Sequence, residues 1–287
     1  MKVNNLKHDA SDFPDILRWI PSPPKELFWL GAHPSSLLSQ PRVAIVGSRK
    51  VSAYGRAVTE RLAGQLARLG VVIVSGLALG VDAIAHQAAI DAGGLTIAVL
   101  PTSVDQIYPS SHLNLARQIV DTGGCLISEY PPGTEAFPSN FITRNRLVSG
   151  LADVLLITEA AKNSGTMHTA GFALEQGRTV MAVPGNIFGP GSEGCNNLIK
   201  TGAAPVTSLE DVLFALGLDL GAQKQTRIFR GSANEQKIFD LIRRGIADQE
   251  ELAKAAKLDS PSLSAALTIL EINGHIRADR GSWSVIA

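Results

Sequence analysis

The chain has 287 residues, 45% of them apolar, with 26 basic and 26 acidic side chains. That length and apolar content allow one large domain, or a medium and a small one. A formal charge of zero argues against a protein that coats polyanions with a broad basic face, so a nucleic-acid ligand would need a local pocket.

Residues 1–40 are Pro-rich and read as a short, irregular N-terminal extension, with Trp19, Phe28 and Trp29 available to pack on a neighbour. From Arg42 apolar strands alternate with amphipathic helices. The strands are expected at Val43–Val46, Val71–Val74, Thr96–Leu100, Leu126–Ser128, Val154–Thr158 and Val180–Val183. The helices are expected at Gly55–Leu69, Gly80–Ala92, Leu113–Asp121, Arg144–Gly150 and Thr166–Gln176, with a closing helix at Ser208–Leu216. Continuous apolar strands indicate a parallel sheet covered on both faces. Right-handed crossovers then make residues 41–216 an α/β, Rossmann-like doubly wound domain.

Residues 217–231 read as a linker carrying Lys224, Arg227 and Arg230. Residues 232–287 change character. Helices are expected at Ala233–Arg244, Gln249–Lys257 and Pro261–Asn273, the last stopped by Gly274, and a hairpin over Ile276–Val285 turns near Asp279–Gly281. Three helices and a hairpin form a winged-helix-like pattern. Its seven basic residues face eight acidic ones, which speaks against a strong duplex reader.

No apolar run reaches the ~18 residues of a membrane span. The N-terminus lacks the apolar core of a secretory signal. Cys125 and Cys195 form no CxxC pair and read as buried thiols of a reducing cytoplasm. The six histidines show no metal-ligand spacing, so no metal is expected. After the first strand of the Rossmann-like pattern there is no GxGxxG, and no P-loop occurs, so neither a dinucleotide cofactor nor triphosphate hydrolysis is expected.

Several strand ends carry candidate binding groups. Gly47 lets the chain turn after the first strand of that pattern, and Ser48 and Arg49 follow where a helix begins. A helix N-terminus and a guanidinium together favour phosphate. After the second strand, Gly76 and Gly80 free the backbone for close approach. Asp82 and His86, one helical turn apart, could form an acid/base pair or fix this loop by hydrogen bonds. The absence of a nucleophile favours the loop role. Glu129 is a further acid/base candidate at the pocket edge. Phe141, Arg144, Asn145 and Arg146 set an aromatic ring beside two arginines, as single-stranded nucleic acid requires, although a core Phe141 and salt-bridged arginines would give the same string. Lys162, Ser164 and Gly165 lead a small-residue turn into a helix, suited to a phosphate. These strand ends lie on one edge of the sheet and therefore converge.

In order along the chain, GSR…YG (Gly47–Gly55), SGLAxGVDxxAH (Ser75–His86), TIAVL…D..YP (Thr96–Pro109), SE.PPGT (Ser128–Thr134), RNRLVSGLAD (Arg144–Asp153), KNSGTMHTA (Lys162–Ala170), GR.VMAVPG (Gly177–Gly185) and NNLIKTGA (Asn196–Ala203) closely resemble the DNA-processing protein A family, DprA or Smf. The resemblance implies a cytoplasmic, dimeric single-stranded-DNA-binding protein that protects strands taken up in natural transformation, helps load the RecA recombinase and has no obligatory catalytic reaction. It implies a DNA pocket of Ser48, Arg49, Phe141, Arg144, Asn145, Lys162, Ser164 and Gly165. Ile142 departs from the proline found in many members, and the N-terminal region is too short for the family's full helical domain. The alternative is a related nucleotide-binding phosphoribohydrolase, whose GGxGTxxE motif is approximated by Ser164–Ala170. Here, however, the acidic Glu175 follows Thr166 by nine residues and not three.

Overall fold

The computed structural model describes residues 3–218, 232–243, 246–272, 275–279 and 282–285. Chain contacts divide the protein into two units, Met1–Leu220 and Gly221–Ala287.

In the first unit the elements in chain order are β1 (Asn4–Lys7), α1 (Asp15–Arg18), β2 (Glu26–Gly31), α2 (Pro34–Leu38), β3 (Arg42–Gly47), α3 (Ala53–Arg68), β4 (Val72–Ser75), α4 (Val81–Asp91), β5 (Thr96–Val99), α5 (Leu113–Asp121), β6 (Cys125–Ser128), α6 (Pro138–Gly150), β7 (Val154–Glu159), α7 (Thr166–Glu175), β8 (Thr179–Ala182), α8 (Glu193–Lys200), β9 (Ala204–Pro205) and α9 (Leu209–Ala215). The strands form one sheet in the order β1-β2-β6-β5-β4-β3-β7-β8-β9. From β6 to β9 every pairing is parallel. The chain winds outward from β3 through β4, β5 and β6, then returns to place β7 on the other side of β3. The topological switch point therefore lies between β3 and β7.

The alternation of a strand's side chains accounts for the two-faced core. Ala44, Val46, Val74, Val99, Leu155, Ile157 and Val180 point to one face, where they pack with Leu147 and Val148 of α6 and Ala170 and Ala173 of α7. Val43, Ile45, Ile73, Val154, Leu156 and Met181 point to the other, against Leu62 and Leu66 of α3 and Val81 and Ala85 of α4. Because both faces are covered, the strands read as unbroken apolar runs.

The N-terminal segment differs from its expected irregularity. β2 adds antiparallel to β6, and β1 antiparallel to β2, so residues 3–40 extend the sheet. Leu27, Phe28 and Trp29 are buried within it, whereas Trp19 is 86% exposed. Helix α6 also begins six residues before its expected start. Pro138 occupies its first turn, where a missing N–H costs nothing, so Phe141 is already helical.

The second unit comprises α10 (Ala233–Arg243), α11 (Gln249–Ala256), α12 (Ser260–Ile272), β10 (Ile276–Asp279) and β11 (Ser282–Val285), with β10 antiparallel to β11. This is a winged-helix arrangement. Ile238, Ile242, Leu252, Leu263, Leu267, Leu270 and Ile276 form its core. Asp248 caps α11 by accepting from the amides of Glu250 and Glu251. The basic linker residues Lys224, Arg227 and Arg230, the Gly274 stop and the hairpin turn at 280–281 lie outside the described residues.

Candidate nucleic-acid interface

At the switch point the carboxyl ends of β3 and β7 and the flank of α6 enclose a crevice of about 620 Å³. Gly47, Ser48, Arg49, Asp82, Phe141, Arg144, Asn145, Ser164 and Gly165 all line it. This is where an open parallel sheet binds ligands.

These residues differ in how they are held. Arg49 is exposed, and its guanidinium stands over the Phe141 ring, 5.5 Å from the centroid. The same ring meets Tyr108 edge-on at 5.2 Å. Together they form a cation–aromatic platform at the crevice wall. Lys50, exposed beside Arg49, also lines the crevice. Sequence reasoning passed over both Lys50 and Tyr108. A basic doublet after Gly47 was the available signal for Lys50, while Tyr108 reaches Phe141 only through the tertiary fold.

Arg144 does not project as a free cation. It is 4% exposed, and its Nη1 donates to the carbonyls of Gly76 (2.6 Å) and Val99. Burial pulls its pKa down to about 10 despite the opposing pull of nearby Asp82. Asp82 in turn accepts from the amides of Gly76 at 3.0 Å and Ala78 at 3.4 Å, and burial raises its pKa against the field of Arg144. Gly76 thus makes room for a protein side chain: a Cβ there would stand 2.5 Å from Nη2 of Arg144. Gly80 (φ +80°) lets the α4 N-terminus press on the Ser48 carbonyl, which accepts from the Val81 amide at 3.1 Å.

His86 lies away from the crevice lining. Thr96 Oγ1 donates to the Ile73 carbonyl at 2.7 Å, so it must accept from His86 Nδ1 at 2.6 Å, which fixes the tautomer and leaves buried Nε2 without a partner among the described residues. Burial, aided by His112 and Arg144, lowers the His86 pKa to about 3. A depressed folded-state pKa contributes stability that is complete above about pH 6.5 and is lost as pH falls towards 3. The expected slope approaches about 1.4 kcal/mol per pH unit in that window. Chemical denaturation of wild type and His86→Gln across it should show the slope diminished in the variant. Identical profiles would contradict this assignment.

Two further expectations change. Glu129 is no free acid: it forms a bidentate pair with Arg146, both contacts 2.7 Å, and both side chains are largely buried. Lys162 lies outside the crevice lining, with its ammonium 3.5 Å from Glu193 on an exposed rim. The α3 N-terminus, expected to favour phosphate, is occupied by the Glu159 carboxylate. At α7, Ser164 Oγ accepts from the Thr166 amide at 3.2 Å, so that turn is already organised.

A doubly wound sheet with a basic and aromatic crevice at its switch point, followed by a winged-helix unit, defines a Rossmann-like protein of nucleic-acid-binding type. The model of the family "DNA recombination-mediator protein A" matches residues 4–217, and that of the DprA winged helix domain matches residues 223–282. The chain belongs to the DprA family. It is 39% identical to Protein Smf of Escherichia coli over 251 residues, 84% of this chain and 67% of that protein. It is 35% identical to a putative DNA processing protein DprA of Mycobacterium tuberculosis, over 92% of this chain and 69% of the relative. Among solved structures, DprA of Streptococcus pneumoniae is 40% identical with a TM-score of 0.69, covering 74% of each chain. DprA of Helicobacter pylori, described for its single-stranded DNA binding mode, is 35% identical with a TM-score of 0.64 over 75% of this chain and 95% of that one.

Proposed function

We propose that this protein binds single-stranded DNA along the switch-point crevice, protects strands entering natural transformation, and hands them to the RecA recombinase, working as a homodimer in the cytoplasm. The observation that carries the binding is the Arg49–Phe141–Tyr108 platform. A ring pair with a guanidinium over one face offers an aromatic surface and a phosphate partner to the same strand. Duplex DNA hides the base faces that such a platform needs. The solved Helicobacter pylori relative supports the same ligand. The family's description as a recombination mediator supports transfer to a recombinase. Among the described residues no helix is long and apolar enough to cross a membrane, which agrees with a role on DNA inside the cell.

In this reading the crevice is a binder without turnover. Its lining carboxylate, Asp82, is buried against Arg144 and the Gly76 amide. Glu175, the acid a phosphoribohydrolase would need near Thr166, is exposed at the opposite end of α7, about 14 Å away at 1.5 Å per residue. Fluorescence anisotropy at physiological salt should give much tighter binding of a single-stranded oligonucleotide than of the same sequence as duplex. Phe141→Ala should weaken the former by about 1–3 kcal/mol, the scale of one base–aromatic stack. Equal affinity for the two forms, or release of free base from nucleoside monophosphates, would overturn the reading.

A further inference from the structure

Glu159 ends β7 beneath the crevice and is only 4% exposed. Its two carboxylate oxygens accept from the Ser52 amide at 3.0 and 3.3 Å, and one also accepts from the Ser52 hydroxyl. That hydroxyl in turn accepts from the Gly55 amide at 3.0 Å, the N-cap bond of the 16-residue α3. Space for the carboxylate comes from Gly55, while Gly191 lies at ordinary contact distance. A Cβ on Gly55 would stand 2.5 Å from Oε2, and one on Gly191 would stand 3.5 Å from Oε1. The Glu159 carbonyl accepts from the Ser48 amide at 2.8 Å. One residue therefore binds the loop after β3, which bears Arg49 and Lys50, to the end of β7, and touches the loop after β8.

In doubly wound folds the N-terminus of the helix after the first parallel strand is the seat of a nucleotide phosphate. Here a built-in carboxylate fills that seat with negative charge. A second anion there would meet both steric exclusion and like-charge repulsion. We propose that Glu159 determines which ligand the crevice accepts: its carboxylate plugs the phosphate seat at α3 and braces the Gly47–Ser52 loop, so that mononucleotides are refused and a strand is held instead along the rim bearing Arg49 and Lys50. The strand-holding half rests on the single-stranded DNA reading above, while the plug does not.

The test uses the full chain as wild type, Glu159→Gln and Glu159→Ala, each checked by thermal melting. Inorganic phosphate and dTMP are titrated by calorimetry, and a fluorescent oligothymidylate by anisotropy. Wild type and Glu159→Gln, whose amide still fills the seat, should bind neither phosphate nor dTMP. Glu159→Ala should gain saturable binding of both and lose about tenfold in oligonucleotide affinity. A purely structural role would not create phosphate binding. A folded Glu159→Ala protein that takes up neither phosphate nor dTMP overturns the proposal. If the alanine variant does not fold, Glu159→Ser, whose short polar side chain also leaves the seat open, decides by the same phosphate readout. Failure of wild type to bind the oligonucleotide would count against the single-strand reading alone, since phosphate uptake on opening the seat is judged separately.

Discussion

Arg144→Ala is expected to cost about 3–5 kcal/mol of folding stability, the scale seen when a buried charge is left without its compensating charge. The guanidinium is buried and its Nη1 serves the Gly76 and Val99 carbonyls. Its charge also offsets that of Asp82, whose pKa burial has already raised. Without Arg144 the two carbonyls lose a donor and the carboxylate loses its counter-charge. A loss of that size is a large fraction of the roughly 5–15 kcal/mol that holds a typical domain together. The deficit should shrink at acid pH. A carboxylate with a raised folded-state pKa destabilises the fold as pH climbs above its unfolded value, and removing the cation raises that pKa further. Pairing the change with Asp82→Asn should recover part of the loss, because the two sites are coupled. Urea denaturation of the four proteins of the cycle measures both quantities. A cost below about 1 kcal/mol for Arg144→Ala would mean that the buried contacts carry no weight.

This expectation shows where sequence reading reaches its limit. Strands β3 to β8 were legible because each is an apolar run buried on both faces, and such runs keep their identity whatever lies next to them. β1, with the string Asn4–Lys7, buries only Leu6 and borrows its strand character from β2. β9 has two residues, too short for any period. The crevice followed from topology, since strands of one parallel sheet bring their carboxyl ends to one edge. What topology alone does not tell is which arginine faces water. Arg49 and Arg144 look alike in a string of letters. One follows a tight turn at the rim, and the other points from α6 under the β4 and β5 strand ends. Gly76 and Gly80 were read as openings for a ligand. The atoms they accommodate belong to Arg144 and to the Ser48–Arg49 backbone, because a missing Cβ marks close approach without naming what approaches. Glu159 reads as the polar end of an apolar strand, and its role depends on Ser52, 107 residues away.

Arg49→Ala should act in the opposite way, leaving the fold intact while weakening DNA binding. The side chain is exposed, and the contact recorded for it among the described residues is the face of Phe141. Stability should therefore change by no more than about 0.5 kcal/mol, as for an ordinary surface position. Loss of one charge-assisted phosphate contact should cost about 1.5–3 kcal/mol of affinity for single-stranded DNA. The salt dependence distinguishes a phosphate partner from a mere packing residue. Each phosphate neutralised on a single strand contributes about 0.7 to the slope of log affinity against log salt. The variant's slope should accordingly be shallower than wild type by about that amount. Lys162→Ala is the built-in comparison: its ammonium already faces Glu193 at 3.5 Å on the rim, so its removal should change affinity and slope much less. Binding isotherms over a series of salt concentrations supply all these numbers. If Arg49→Ala weakens binding but keeps the wild-type slope, the guanidinium serves the Phe141 ring or the base and does not pair with phosphate. If Lys162→Ala has the larger effect on slope, the strand runs along the α8 side of the crevice rather than past Arg49.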